Sequence, residues 1–85
     1  MRLDLWLKRV CLIQSRSMAK RGCHEEKILL AGEAVKESHS VREGELLTLI
    51  FPGRSLEIEV LKVPSGNVSK KEAPDFYRVL GEELV

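Results

Sequence analysis

Gln14-Ser15-Arg16-Ser17-Met18-Ala19-Lys20-Arg21 is the stretch whose reading decides the fold. Ser15 is a strong helix N-cap, because its hydroxyl can accept a bond from a first-turn amide that has no partner inside the helix. Arg16 then opens the helix, against the positive end of the helix dipole, where Asp or Glu is normally favoured. A guanidinium beside free amides suits an anion site, such as one for phosphate; a solvated surface arginine is the alternative. Met18, Ala19, Gly22 and Cys23 gather on the apolar side of a helix predicted over residues 16–24, and small residues there allow close approach to a neighbour. Arg16 and Lys20 are four apart and share the opposite side.

Toward the N-terminus, the spacing predicts an amphipathic helix over residues 3–13. Leu3, Trp6, Leu7, Val10 and Cys11 fall on one face and Lys8 and Arg9 off it. Trp6 lies inside the apolar stripe, so it reads as core rather than as a platform for stacking bases. Asp4 suits the start of this helix and can pair with Arg2.

Toward the C-terminus the period changes to two. Residues 28–31 and 34–36, joined through Gly32-Glu33, read as a short hairpin. Glu43-Gly44-Glu45 is a turn before the apolar run 46–51, and Pro52-Gly53 marks the next reversal. Leu56, Ile58 and Val60 then alternate with Glu57 and Glu59, an outward acidic lane that would repel phosphates. Beyond Pro64-Ser65-Gly66-Asn67, Phe76, Leu80 and Leu84 recur at helical spacing and predict a short C-terminal helix. Ser69-Lys70-Lys71-Glu72 resembles a capping box, and Pro74 suits a first helical position.

With 85 residues the chain is one domain with a modest core, and 44% hydrophobic with 32% charged residues argues against disorder. The net charge is +1, but it is unevenly spread. Residues 1–22 hold six basic side chains against Asp4, a net +5, which leaves −4 to the rest. Such asymmetry suggests a basic face for an anionic partner. Cys11 and Cys23 form no C-x-x-C pair, and His24 and His39 complete no zinc spacing, so both cysteines are expected as small buried hydrophobes without a disulfide. No phosphate loop, nucleophile elbow or metalloprotease motif occurs. No catalytic residue, metal or cofactor is expected, nor a membrane or a small-molecule substrate, and a cytoplasmic location is.

The chain resembles the S4 RNA-binding domain family. The likeness is carried in order by Met1-Arg2-Leu3-Asp4 with Trp6-Leu7, Ser15-Arg16-Ser17-Met18-Ala19-Lys20, Lys27-Ile28-Leu29-Leu30-Ala31-Gly32 and Val41-Arg42-Glu43-Gly44-Glu45. It spans about residues 1–60. Three positions depart from the family pattern: Glu26 replaces the usual glycine closing the second helix, Ala31 the usual Asn before Gly32, and Leu5 a frequent Lys. A glutamate at positive φ would be strained, so the helix-to-strand join is expected to be shaped differently here.

The resemblance implies an α+β, S4-type (αL) fold. Two N-terminal helices pack on a small twisted, mostly antiparallel sheet, with an S4 RNA-binding domain over residues 1–64 and a tail with its helix over 65–85. It implies RNA contacts from Arg2, Lys8, Arg9, Ser15, Arg16 and Lys20. Among free-standing S4 proteins, the short tail is similar to the ribosome quality-control P-factor (RqcP) type. That likeness implies partners in large-subunit ribosomal RNA, P-site tRNA and the large ribosomal subunit, and a place beside RqcH in alanine-tailing of stalled nascent chains. A general ribosome-recycling or heat-shock RNA-binding factor and a protein-interaction adaptor are the alternative readings.

Overall fold

The computed structural model describes residues 1–84. Two helices, α1 (Leu3–Arg9) and α2 (Arg16–His24), are followed by β1 (Ile28–Leu30), β2 (Glu33–Ala34), β3 (Leu46–Phe51) and β4 (Arg54–Val60). A 3₁₀ turn (Ala73–Phe76) then leads into β5 (Tyr77–Leu84). The five strands form one sheet in the order β2-β1-β3-β4-β5, and every neighbouring pair is antiparallel.

The period-two pattern sets which face is buried. Ile28, Leu47, Leu49, Leu56, Ile58 and Val60 line one face of the sheet, and Leu3, Trp6, Leu7, Val10, Ile13, Ala19 and Cys23 cover it from the helices. Trp6 is wholly buried and its Nε1–H donates to the Lys62 carbonyl at 3.0 Å, so the ring belongs to the core. Burial of a large apolar side chain contributes roughly 1.5–3 kcal/mol. Gly22 brings α2 against β1: a Cβ there would lie 2.8 Å from Ile28 Cδ1.

Both helices stop in the same way. Cys11 adopts a left-handed φ of 62°, with its amide on the Lys8 carbonyl (3.0 Å) and the Leu12 amide on that of Leu7 (3.1 Å). Glu26 has φ 56°, with its amide on Cys23 (3.2 Å) and the Lys27 amide on Gly22 (2.7 Å). These are paired Schellman bonds, which satisfy carbonyls the helix leaves open. They correct two expectations. The first helix ends at Arg9 rather than running to residue 13, leaving Cys11 exposed. The join after α2 is not reshaped to spare Glu26, which takes the left-handed conformation itself.

The hairpin turn falls on Ala31-Gly32, one residue earlier than expected. Both have positive φ (50° and 81°), as a two-residue type I′ turn requires, and Leu30 faces Glu33 across it. The C-terminal helix is also corrected: a single 3₁₀ turn stands where it was expected, and residues 77–84 are a strand. Ser69 and Glu72 are bonded to each other, the hydroxyl accepting the Glu72 amide (3.2 Å) and donating to its carboxylate (2.9 Å), but this is half of the expected capping box, and the 3₁₀ turn itself is capped at Glu72 without a side-chain bond. That turn is ended by an open edge of β4, whose backbone groups β5 pairs from Arg54 to Val60. Leu80 is an extra residue in that ladder, between Val79 opposite Ile58 and Gly81 opposite Glu57, which makes a β-bulge.

Candidate nucleic-acid interface

The two helix starts are built differently. At α1 the first-turn amides are already taken: Leu3 donates to the His39 carbonyl (2.8 Å) and Asp4 to that of Glu37 (3.1 Å). Arg2 bridges Ser40 and the Val41 amide returns to Met1 (2.9 Å), so the loop before β3 is pinned across this helix end. At α2 the Ser15 hydroxyl accepts the Met18 amide at 3.1 Å, and no acidic residue stands in the first turn. The cap foreseen at Ser15 is therefore formed, and Arg16 is the first helical residue.

Asp4 joins the two starts. Its carboxylate, 6% exposed, takes Arg2 Nε (3.2 Å) and Nη2 (3.3 Å) on its two oxygens and lies 3.5 Å from Arg16 Nη2. The guanidinium-bearing side chains are themselves about half exposed, Arg2 at 51% and Arg16 at 47%. One buried anion thus holds two cations from different elements at the surface. Ion pairs this open to water contribute only about 0–1 kcal/mol each, so their main effect is to fix geometry.

Lys20 is exposed one turn beyond Arg16 on α2, and Lys8 is exposed one turn beyond Asp4 on α1. At helical spacing both follow the flank that the Asp4 cluster begins. Arg9 does not: it sits about 140° around α1 from Asp4 and is half-buried. Of the six residues expected at the RNA face, Arg2 and Arg16 are in one cluster, Ser15, Lys20 and Lys8 adjoin it along the helices, and Arg9 is turned away.

Glu37 closes the far side of this strip. Its carboxyl is held below the ordinary glutamate value, first by its own backbone amide, which outweighs the opposing effect of burial, and then by its neighbours His24 and Lys20. His24 Nε2 lies 3.2 Å from it. Elsewhere three arginines are neutralised locally, in Arg21–Glu25 (3.1 Å), Arg54–Glu82 (3.2 Å) and Arg78–Glu59 (3.5 Å). Glu57 is exposed on the outer sheet face, as the alternation of β4 requires. Among the described residues no group of three His, Cys, Asp or Glu is placed to hold a metal ion, and no helix is long and apolar enough to cross a membrane.

Asp4 is the residue whose role at the site the sequence hides. The Arg2-x-Asp4 spacing signals one ion pair, but the pairing with Arg16 depends on how the helices pack.

No protein-family model matches the chain. Curated relatives do. The RQC P-site tRNA stabilizing factor of Halalkalibacterium halodurans is 36% identical over 85 residues, covering 100% of this chain and 96% of the relative. The protein of the same name from Bacillus subtilis is 34% identical, covering 98% and 95%. Among solved structures, the trimeric structure of Heat Shock Protein 15 from Vibrio cholerae superposes with a TM-score of 0.87 at 29% identity, covering 93% of this chain and 80% of that one.

Proposed function

Because this chain belongs to the family of RQC P-site tRNA stabilizing factors, we propose that it binds the large ribosomal subunit and steadies P-site tRNA there during ribosome quality control. The observation that carries the reading is the strip of cations led by Arg2 and Arg16 at the start of two packed helices, on a chain whose residues 23–85 sum to −4. Ribosomal RNA presents folded backbone rather than a readable groove, so it is recognised through phosphate positions and shape. Arg2, Lys8, Arg16 and Lys20 supply phosphate contacts and Ser15 shapes the α2 start, while Arg9, turned away from the cluster, is left out of the contact set. In this reading the protein works beside RqcH, holding large-subunit ribosomal RNA and tRNA in place while the blocked chain receives its alanine tail.

Co-sedimentation with purified large ribosomal subunits across a salt series tests the site. Replacing Arg16 and Lys20 together by Gln should weaken binding and reduce the slope of log affinity against log salt by about one to two units. Unchanged pelleting would remove these two residues from the interface.

The likeness to Heat Shock Protein 15 favours a second reading, a general ribosome-recycling or heat-shock RNA-binding factor. The particle that co-purifies with the protein separates the two. Large subunits carrying peptidyl-tRNA support the quality-control role, and free subunits without tRNA support the other.

A further inference from the structure

Asp4 is the one charged residue buried among the described residues, 4% exposed, and it lies inside a face of cations. Charge alone makes it a defect there, since a carboxylate repels phosphate and its removal should strengthen RNA binding. Its bonding has the opposite consequence. Oδ1 accepts the Leu5 amide (2.8 Å) and Arg2 Nε (3.2 Å), while Oδ2 faces Arg2 Nη2 (3.3 Å) and Arg16 Nη2 (3.5 Å). Both oxygens are engaged twice, so the negative charge is directed into two guanidinium groups. Each arginine keeps N–H donors for a second acceptor, because a guanidinium carries five. The anion also offsets the mutual repulsion of two arginines brought to one point.

We propose that Asp4 is a positioning residue of the RNA interface: it sets Arg2 and Arg16, from two different elements, at the spacing one stretch of RNA backbone requires. It thereby raises affinity in spite of its charge. Long side chains ordered before binding need not be ordered during it. The proposal rests on the reading of this face as the RNA-binding one.

The test is the sign of the effect of Asp4→Asn. The amide keeps the volume and the acceptor for Leu5, but it loses the charge and cannot hold both guanidiniums. Binding to purified large ribosomal subunits is measured at fixed salt, with thermal unfolding followed in parallel. Affinity should fall about tenfold. In a chain already carrying Arg2→Gln and Arg16→Gln, the same substitution should change nothing, because nothing remains to be positioned. Tighter or unchanged binding overturns the proposal, and so does an equal loss in the background lacking Arg2 and Arg16, which marks a purely structural role. Should the Asp4→Asn chain fail to fold, Arg2→Lys carries the test. It keeps the charge at a half-exposed position and loses the two-pronged contact, so several-fold weaker binding is expected and unchanged binding overturns the proposal. The underlying reading fails separately, if the wild-type chain does not pellet or if the Arg16/Lys20 double variant pellets like it, and the positioning role then falls with it. An Asp4 result of the wrong sign with those two intact overturns only the positioning role.

Discussion

Cys23 and Cys11 show how far a residue's chemistry depends on its place. Both were expected in the core from composition and spacing, yet only Cys23, 4% exposed, is there. Burial first, and then the nearby carboxylates of Glu37 and Asp4, push its thiol from 9.0 up to about 11. Since the thiolate is the nucleophile, Cys23 is inert near neutral pH on two counts, access and ionisation. Cys11 is exposed at the left-handed turn that ends α1. Iodoacetamide at neutral pH should therefore add one carbamidomethyl group to the folded chain, at Cys11, and a second only after denaturation. Peptide mass mapping reads this directly, and prompt labelling of Cys23 in the native protein would contradict its burial. The linkage has a definite sign. The folded thiol is raised above its unfolded value, so its contribution to stability is complete below about pH 9 and is lost as pH climbs toward 11.

At the scale of elements, the recurring device is a helix closed by a Schellman motif without glycine. Cys11 and Glu26 each hold a left-handed conformation that costs an L-residue roughly 1–2 kcal/mol. Glu26 carries a second penalty, an anion beside the negative end of the α2 dipole. The sequence shows an anomaly at this position, but the expectation that the backbone would avoid it was wrong. The Lys27 and Glu26 amides are bonded to α2 carbonyls, and β1 must begin immediately afterwards with Ile28 in the core. Packing on both sides therefore fixes the turn and the residue adopts it. Glu26→Gly should relieve the strain and stabilise the fold by about 1 kcal/mol, a rise in Tm of roughly 4–8 °C for a domain of this size. A raised midpoint in urea unfolding with an unchanged m-value would show the gain in stability. No gain would mean that Glu26 is not strained.

For the whole molecule, what was legible in the sequence was local. The α2 boundaries and the alternation of β4 follow from residues within a few positions of one another, and the structure has both. The reading failed where a distant partner decides. Phe76, Leu80 and Leu84 satisfy a helical spacing, but the nearest unpaired backbone belongs to β4, and a strand there satisfies more hydrogen bonds than a single isolated helical turn could. The contact between Arg16 and Asp4 was hidden for the same reason, since it exists only once α1 and α2 pack. This non-local dependence bears on the last seventeen residues. Read as a detachable tail they would serve a partner and matter little to folding. In the sheet, β5 pairs with β4 from end to end, the Leu61 and Lys62 amides both donate to the Phe76 carbonyl (2.9 and 3.2 Å), and Ala73 is buried. Removing residues 69–85 strips these partners from β4 and exposes its edge as a template for aggregation. A domain of this length holds only roughly 4–13 kcal/mol in total. The truncated chain should therefore lose its cooperative thermal transition and self-associate, as followed by circular dichroism and light scattering. A sharp transition retained by a monomeric chain ending at residue 68 would show instead that four strands suffice, and would return the segment to the role of an adaptor surface.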